Sequence, residues 1–210
     1  MKLKHILAVA FSVITVVGLA SMTVMADEKA ITTEEELKAA IEANDGSDIV
    51  LGADIDTTES VVIPSGKSFV LNMAGHTINR GLNSVSDKGS VIVIEKGADI
   101  QISSYVEGTP SAKGTITGGY APYGGGIVNR GTLNLYNVDV INNKTDLSNK
   151  VEHRGGGIWT SGELSISDCV IKGNKSNDGG GIFIDKGATL TLNCVTVTGN
   201  ESVKIGRAHV

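Results

Sequence analysis

The sequence predicts an all-β fold, a right-handed parallel β-helix (a solenoid) with one short α-helix capping its N-terminal end. Three observations predict it. Segments that begin with three glycines and an isoleucine recur at Gly124, Gly155 and Gly179. Within each segment apolar and polar residues alternate in short runs, which is typical of strands of three to five residues. The composition, with 27 glycines and 4% aromatic residues, favours many short strands joined by tight turns.

The repeated segments share one order of residues. After the GGGI tetrapeptide come a turn glycine, two alternating apolar pairs and a closing asparagine. Together with weaker upstream copies, the turn glycines are Gly66, Gly97, Gly131, Gly162 and Gly187, which are 25 to 34 residues apart. A unit of this length buries its apolar face only by stacking on its neighbours. We therefore expect about five or six coils, roughly 4.8 Å apart. A leucine-rich horseshoe is not favoured, because no helical period follows residue 46.

Residues 1–26 have the features of a signal peptide. Lys2 and Lys4 supply a positive start, residues 6–20 are mostly apolar, and small or neutral residues precede a cleavage point after Ala26. The apolar run is shorter than the roughly 20 residues of a membrane-spanning helix. We expect export with cleavage, rather than a membrane anchor, and no transmembrane span in the mature chain.

Residues 27–47 are predicted to form the N-terminal cap. Thr33 and Glu36 have the spacing of a capping box, and Asn44 to Gly46 form a helix stop. The apolar face of this helix consists of Leu37, Ala40 and Ile41. Because solenoids need terminal caps, we expect a helix over residues 33–43 to cover the coils of residues 48–204.

The last six residues, 205–210, break the repeat pattern. Their sequence, IGRAHV, resembles the translation of a sequencing adapter. We interpret the coils as truncated C-terminally and residues 205–210 as a non-native tail. The alternative is a natural polar tail.

The asparagines that close the repeats are predicted to be structural. Asparagine tolerates the left-handed backbone conformation, and its amide pairs with backbone groups or with stacked asparagines. We interpret Asn143, Asn174 and Asn200 as an Asn ladder at a corner of the coils.

Three residues that directly follow the GGGI tetrapeptides are the best candidates for binding. Val128, Trp159 and Phe183 have the opposite parity to the inward isoleucines that precede them. In stacked coils they would form an outward apolar ridge, a surface that stacks on sugar faces or anchors a protein partner. The alternative is that the insertion at residues 144–154 folds back and covers the ridge.

These motifs resemble the pectin-lyase-like right-handed parallel β-helix superfamily, and within it repeat-bearing bacterial surface proteins. The GGGI tetrapeptides are similar to the GGA-[ILV] repeat of chlamydial polymorphic outer-membrane proteins. The endings VINN143, IKGN174 and VTGN200 are similar to the F-x-x-N partner of that repeat, with Val or Ile in place of Phe. The stretch from Glu34 to Ile78 is similar to the start of β-helix surface proteins of Gram-positive gut bacteria. The resemblance implies the fold, whereas one such scaffold carries lyases, hydrolases and adhesins.

An enzyme that resembles these lyases or hydrolases would cluster acids on one outward face, either as Ca²⁺ ligands beside a basic residue or as paired carboxylates. The outward acids of this chain do not stack in the aligned repeats. The aligned sets are Asp139 with Val170 and Thr196, Asp168 with Asn137 and Cys194, and Glu95 and Asp185 with Asn129 and Thr160. We therefore identify no catalytic residues, no metal site and no cofactor.

The two cysteines, Cys169 and Cys194, are too few to frame the fold. Cys169 has an inward position, and Cys194 lies one place earlier in the next unit. Adjacent coils bring their backbones close, but the pleat directs the two side chains differently. A disulfide and two separate thiols are the alternatives.

The charge balance excludes one class of partner. Removing residues 1–26 leaves 16 basic and 23 acidic side chains, a net charge of −7, which argues against nucleic acid. We expect an exported bacterial protein, secreted or at the cell surface, that is a non-catalytic adhesin or structural stalk binding an extracellular glycan or a host or bacterial surface protein. The alternative is the N-terminal fragment of a polysaccharide lyase or glycoside hydrolase whose catalytic coils are missing.

Overall fold

The computed structural model of the chain describes residues 30–106, 112–147 and 153–203. The predicted signal peptide and the predicted non-native tail lie outside the described residues.

The described residues form one short helix, α1 (Glu34–Ala43), followed by parallel strands. In chain order the strands are β1 (Ile49–Val50), β2 (Ile55–Asp56), β3 (Val61–Ile63), β4 (Ser68–Asn72), β5 (Thr77–Asn79), β6 (Ile92–Ile94), β7 (Asp99–Ser103), β8 (Gly114–Thr117), β9 (Tyr120–Ala121), β10 (Ile127–Asn129), β11 (Thr132–Tyr136), β12 (Val138–Ile141), β13 (Lys144–Thr145), β14 (Ile158–Thr160), β15 (Glu163–Ser167), β16 (Val170–Lys172), β17 (Lys175–Ser176), β18 (Ile182–Ile184), β19 (Thr189–Asn193), β20 (Thr196–Thr198) and β21 (Glu201–Ser202).

The strands are arranged in four parallel sheets. Sheet I has the order β1-β4-β7-β11-β15-β19, and sheet II has the order β2-β5-β8-β12-β16-β20. Sheet III has the order β9-β13-β17-β21, and sheet IV has the order β3-β6-β10-β14-β18. Consecutive strands of the chain enter different sheets, and each strand pairs with the equivalent strand of the next repeat. This all-β arrangement of stacked parallel sheets is consistent with a parallel β-solenoid.

The register of the sheets aligns equivalent apolar residues of successive repeats. In sheet I one row contains Phe69, Ile100, Leu133, Leu164 and Leu190. The first four side chains of this row are at most 5% exposed, and Leu190 packs partly buried against the same core. Each inward residue therefore packs on its counterpart above and below, so a single repeat supplies only one layer of the core.

The predicted helix is confirmed, with bounds that differ by one residue at its start. Thr33 is the N-cap, and its side chain accepts a hydrogen bond from the Glu36 N–H at 3.2 Å. Leu37 and Ile41 are 0% and 2% exposed, because they pack into the same hydrophobic core as the first strands. Apolar residues four apart share one helix face, so the pattern in the sequence predicted which face is buried.

Glu34 joins the helix to the turn that precedes β3. Its carboxylate accepts hydrogen bonds from the N–H and hydroxyl of Thr58 at 2.7 and 2.9 Å, and from the N–H of Glu59 at 3.1 Å. Lys38, one helical turn later, places its ammonium group 2.7 Å from the same carboxylate. These contacts fix the helix against the chain between β2 and β3.

The triple glycines lie where the backbones of adjacent repeats approach closely. A Cβ atom on Gly156 would lie 2.5 Å from the carbonyl oxygens of both Gly180 and Lys175. A Cβ atom on Gly125 would meet Lys144 and Gly156 in the same way, at 2.5 and 2.6 Å. Distances below 3 Å to backbone atoms leave no room for a side chain, so the middle glycine of each tetrapeptide is a steric requirement of the stack.

Candidate binding surface at the glycine-rich corner

The three candidate binding residues lie side by side in sheet IV. The register pairs Val128 with Trp159, and Trp159 with Phe183. The same row continues to Val93 and Val62 on the other side of Val128. Neighbouring strands are about 4.8 Å apart, so the row forms one continuous strip of apolar side chains along the outside of sheet IV.

The row lies on the outer face of sheet IV, and two of its three candidate residues are covered, as the alternative interpretation expects. Val128 is 4% exposed and Phe183 is 8% exposed, whereas Trp159 is half-buried. Exposure rises toward the other end of the row, where Val62 is 47% exposed. Parity along a strand gives the face on which a side chain lies, but it does not give what packs over that face.

Side chains from the turns pack over the outer row. The ring of Tyr123 lies 6.2 Å from the ring of Trp159, centroid to centroid. The guanidinium carbon of Arg130 lies 5.9 Å from the centre of the Trp159 ring, and that of Arg154 lies 4.8 Å from the centre of the Phe183 ring. Both distances are in the range of cation–π attraction. Arg154 is the last residue of the insertion at residues 144–154. Part of this insertion therefore packs over the ridge, as the alternative prediction from the sequence expects.

His153 completes this group of rings. Its ring centroid lies 6.2 Å from that of Tyr123, and its Nδ1 lies 3.0 Å from the Pro122 carbonyl oxygen. A carbonyl oxygen only accepts, so Nδ1 carries a proton. The other ring nitrogen, Nε2, lies 3.9 Å from the carboxylate of Asp146, and both residues are less than a tenth exposed. We call Tyr123, Arg130, His153, Arg154 and Trp159 the aromatic corner.

Tyr123 and Trp159 are the aromatic residues through which the aromatic corner reaches solvent. Tyr123 is 44% exposed, and Trp159 is half-buried beside it. The Trp159 Nε1 donor is buried and has no hydrogen-bond partner among the described residues. An amphipathic aromatic surface with cationic edges suits a ligand that combines apolar faces with hydrogen-bond acceptors.

Sequence reasoning missed the residues that cover the row, although the sequence contains a signal for them. Tyr123, Arg154 and Asp178 each directly precede a GGGI tetrapeptide. The structure bridges them side by side, Tyr123 to Arg154 and Arg154 to Asp178. Tyr123 and Arg154 each cover the outer residue of the following repeat, Trp159 and Phe183 respectively. The residue directly before a GGGI tetrapeptide and the residue directly after it thus belong to the same surface.

The asparagines that close the repeats are hydrogen-bonded to one another. The Nδ2 of Asn143 donates to the Oδ1 of Asn174 at 3.2 Å, and the Nδ2 of Asn174 donates to the Oδ1 of Asn200 at 3.0 Å. Each Oδ1 also accepts from the backbone N–H of the preceding asparagine, at 2.9 and 3.0 Å. Asn143 and Asn174 are fully buried. Their amides therefore link successive repeats through charge-neutral, buried hydrogen bonds.

The outward acids lie apart in the sheets. Asp139 pairs in register with Val170, and Val170 with Thr196. The alignment of Glu95 with Asn129 is wrong by one residue, because Asn129 pairs with Ile94. The neighbour of Glu95 is Arg130, with which it forms an ion pair at 3.2 Å.

Over the described ranges, no group of three or more His, Cys, Asp or Glu side chains is placed to hold a metal ion. In the same ranges no helix has the length and apolar character needed to cross a membrane.

The two cysteines are separate thiols. Cys169 is buried and Cys194 is exposed. Burial raises the pKa of the Cys169 thiol to about 11, although hydrogen bonding and a nearby lysine oppose the rise. Cys169 is therefore an inert core residue, whereas Cys194 is open to solvent at a turn.

Comparison with known proteins adds no assignment. No protein-family model, no curated protein and no solved structure matches the chain.

Proposed function

We propose that this chain is an exported, non-catalytic bacterial surface protein, a right-handed parallel β-helix of the pectin-lyase-like kind, that binds an extracellular glycan or protein. Handedness is supported by a general rule, since connections between parallel strands of one sheet are right-handed in about 98% of cases. The rule applies here because every pair of neighbouring strands within the four sheets is parallel.

One observation carries the binding role. In the aromatic corner the exposed Tyr123 ring and the Arg130 guanidinium lie 6.2 and 5.9 Å from the ring of the half-buried Trp159. Tyrosine, tryptophan and arginine are the residue types that dominate binding hot spots. The cover over Val128 and Phe183 confines the ligand contact to Tyr123 and Trp159, rather than to the whole row.

The absence of stacked acids supports a binding role over a hydrolytic one. Glycoside hydrolysis needs two carboxylates at set separations on one face. In the described residues Asp139 is paired with Lys113 at 3.2 Å and Glu95 with Arg130 at 3.2 Å. Each carboxylate is thus held by a separate cation, Asp139 within β12 of sheet II and Glu95 directly after β6 of sheet IV.

The experiment has two parts. Mass spectrometry of the protein recovered from the medium or the cell surface of an expressing bacterium should find a chain that begins at Asp27. Fluorescently labelled protein should bind to cells or to immobilised glycans, and Trp159→Ala and Tyr123→Ala should each weaken that binding by roughly tenfold.

Val62→Ala is the matched control, because Val62 is 47% exposed in the same row but lies outside the aromatic corner. Unchanged binding of Trp159→Ala would overturn the role of the aromatic corner. Cleavage of pectin or another polysaccharide by the purified protein would overturn the non-catalytic role.

A further inference from the structure

A second surface forms a groove at the C-terminal ends of the sheet I strands, whereas the glycine turns lie at their N-terminal ends. It lies where the chain passes from sheet I to sheet II and has a volume of about 480 Å³. That volume is in the range of small-molecule sites. We call it the tyrosine groove, and its lining residues are Tyr105, Lys113, Tyr136, Asn137, Asp168 and Cys194.

Three turn residues on successive repeats line one side of the groove. Asn137, Asp168 and Cys194 all have the left-handed conformation, with φ of 56°, 55° and 52°. Asparagine and aspartate tolerate this conformation, whereas it is uncommon for cysteine. Asp168 and Cys194 are exposed, so their side chains are accessible from the groove.

Two tyrosines give the groove its aromatic surface. Tyr105 and Tyr136 are 49% and 45% exposed. Tyr136 pairs in register with Ser103, two residues before Tyr105, so the two rings belong to neighbouring repeats. Large rigid aromatic side chains lose little conformational entropy on binding.

Hydrogen bonds hold the backbone around both tyrosines in place, and the Ser104 N–H donates to the Tyr136 carbonyl at 3.1 Å. The Tyr105 N–H donates to the Asn72 Oδ1, and the Asn72 Nδ2 donates to the Tyr105 carbonyl, both at 3.1 Å. Ser104, which is fully buried, donates from its hydroxyl to the Ala112 carbonyl at 2.7 Å and accepts from the Gly75 N–H at 2.8 Å. The backbone that carries Tyr105 is therefore fixed before a ligand binds, which lowers the entropic cost of binding.

The charges in the groove favour an uncharged ligand. Lys113, its cation, already donates to the Asp168 carbonyl at 2.6 Å and pairs with Asp139 at 3.2 Å. The exposed Asp168 carboxylate forms no ion pair with a cation in the described part of the chain, so its negative charge repels anions. The whole chain carries a net charge of −5. An acidic glycan or a phosphate would meet an unfavourable potential here.

We propose that the tyrosine groove binds a neutral oligosaccharide, with Tyr105 and Tyr136 stacking on sugar rings and the Asp168 carboxylate accepting hydrogen bonds from sugar hydroxyls. Sugar rings combine an apolar face with a rim of hydroxyl groups, which matches aromatic rings set beside a carboxylate. This inference rests on the proposed role as an extracellular ligand-binding protein, but it concerns a different face from the aromatic corner.

Cys194 supplies a direct measurement. Its exposed thiol lies in the groove, whereas the thiol of Cys169 is buried. N-ethylmaleimide should therefore modify the native full chain at Cys194, and the site of labelling is identified by peptide mass spectrometry. A bound oligosaccharide should slow this labelling at least about fivefold. The probes are neutral tri- and tetrasaccharides of glucose, mannose, galactose and N-acetylglucosamine, with oligogalacturonates as charged comparators.

Variants test the roles of the side chains by calorimetric titration with the saccharide that protects Cys194. Tyr136→Ala and Tyr105→Ala should each weaken binding roughly tenfold, whereas Tyr136→Phe, which keeps the ring, should retain most of the affinity. Asp168→Asn should weaken binding, and Asp99→Asn, at an exposed position at the start of β7, is its matched control. Circular dichroism checks that each variant is folded.

Three results would overturn the proposal: no protection of Cys194 by any neutral saccharide, protection by the galacturonates alone, or unchanged affinity in Tyr136→Ala. The aromatic corner is tested separately, because Trp159→Ala should leave Cys194 protection intact. Loss of cell binding in Trp159→Ala together with intact protection would support both surfaces. Intact cell binding in that variant would overturn the aromatic corner and leave the groove supported by its own protection result.

Discussion

Glu34 gives a prediction that joins the helix, the first strands and the response to acid. Its carboxylate is 6% exposed. Burial raises the pKa of this carboxyl, but hydrogen bonds from Lys38, Thr58 and Glu59 outweigh that effect and lower the pKa from 4.5 to about 2. The charged form is therefore favoured in the folded protein. Glu34→Gln removes that charge while keeping the size of the side chain.

The free energy follows from the difference between the folded and unfolded pKa. A fall from 4.5 to about 2 corresponds to an upper limit of ~3 kcal/mol. Because Lys38 is 39% exposed, solvent screens its part of the interaction, and we expect ~1.5–3 kcal/mol. Since the folded pKa is the lower one, this stabilisation is present above pH 4.5 and is lost as the pH falls from 4.5 toward 2.

The assay is urea denaturation followed by far-ultraviolet circular dichroism, at several pH values between 7 and 2. At pH 7 we expect Glu34→Gln to be less stable than the wild type by the amount given above. The difference between the two proteins should shrink between pH 4.5 and 2, because the wild-type carboxyl becomes protonated there. Other acids titrate in both proteins, so the difference isolates Glu34.

Glu35→Gln is the matched control. Glu35 is exposed in the same first turn of α1, so its loss removes the same favourable interaction with the helix dipole, typically below ~1 kcal/mol. Equal destabilisation by the two substitutions would refute the argument from the buried contacts. A wild-type advantage over Glu34→Gln that stays constant down to pH 2 would refute the argument from the pKa.

Three further predictions concern the asparagines, the glycines and the aromatic corner. Asn174→Ala should lower the free energy of unfolding by ~3–5 kcal/mol in urea denaturation, because it leaves several buried groups unpaired. Asn134→Ala, at an exposed position, is the control and should lower it by less than ~0.5 kcal/mol. Similar losses at both sites would contradict the role of burial. Gly156→Ala should prevent accumulation of folded protein, measured as the soluble, protease-resistant fraction, since its Cβ would lie 2.5 Å from two backbone oxygens. A wild-type yield of folded protein would show that the stack has room for a side chain at this position. Tyr123→Ala should shift the emission of Trp159, the single tryptophan, to longer wavelength and increase its quenching by acrylamide, and an unchanged spectrum would show that Tyr123 does not cover the indole.

Much of the fold could be predicted because identical positions of the repeats stack on one another. The alternating Leu and Ile pairs placed Leu133, Leu164 and Leu190 in one row, and the register confirms it. The helix could be predicted from its cap and its apolar spacing, which are local features. Local patterns of this kind survive in the structure because parallel pairing in register repeats the same environment in each coil.

The candidate binding surface could be predicted only in part. The place of Tyr123 and Arg154 before a GGGI tetrapeptide marks them as equivalent positions. It does not show that their side chains reach Trp159 and Phe183, because these contacts join residues of adjacent repeats. The tyrosine groove was not predicted, because Tyr105 lies in the connection between β7 and β8, where the repeat pattern is interrupted. The periodic sequence therefore predicts which residues stack in one row of a sheet. It does not predict which long side chains from the turns pack over that row in the neighbouring repeat.

The repeats differ in length, yet the sheets keep their register. Ten residues, 104–113, connect β7 to β8, whereas Asn137 alone connects β11 to β12, and both flanking pairs of strands remain aligned. A second pair of connections differs in the same way. Eight residues, 146–153, connect β13 to Arg154, whereas in the next repeat Asn177 alone connects β17 to Asp178. The two corners therefore tolerate added chain at little cost to the scaffold. For protein engineering they are natural grafting points for peptide tags or epitopes, and over evolutionary time they are where such a rod would acquire new specificities without refolding its core.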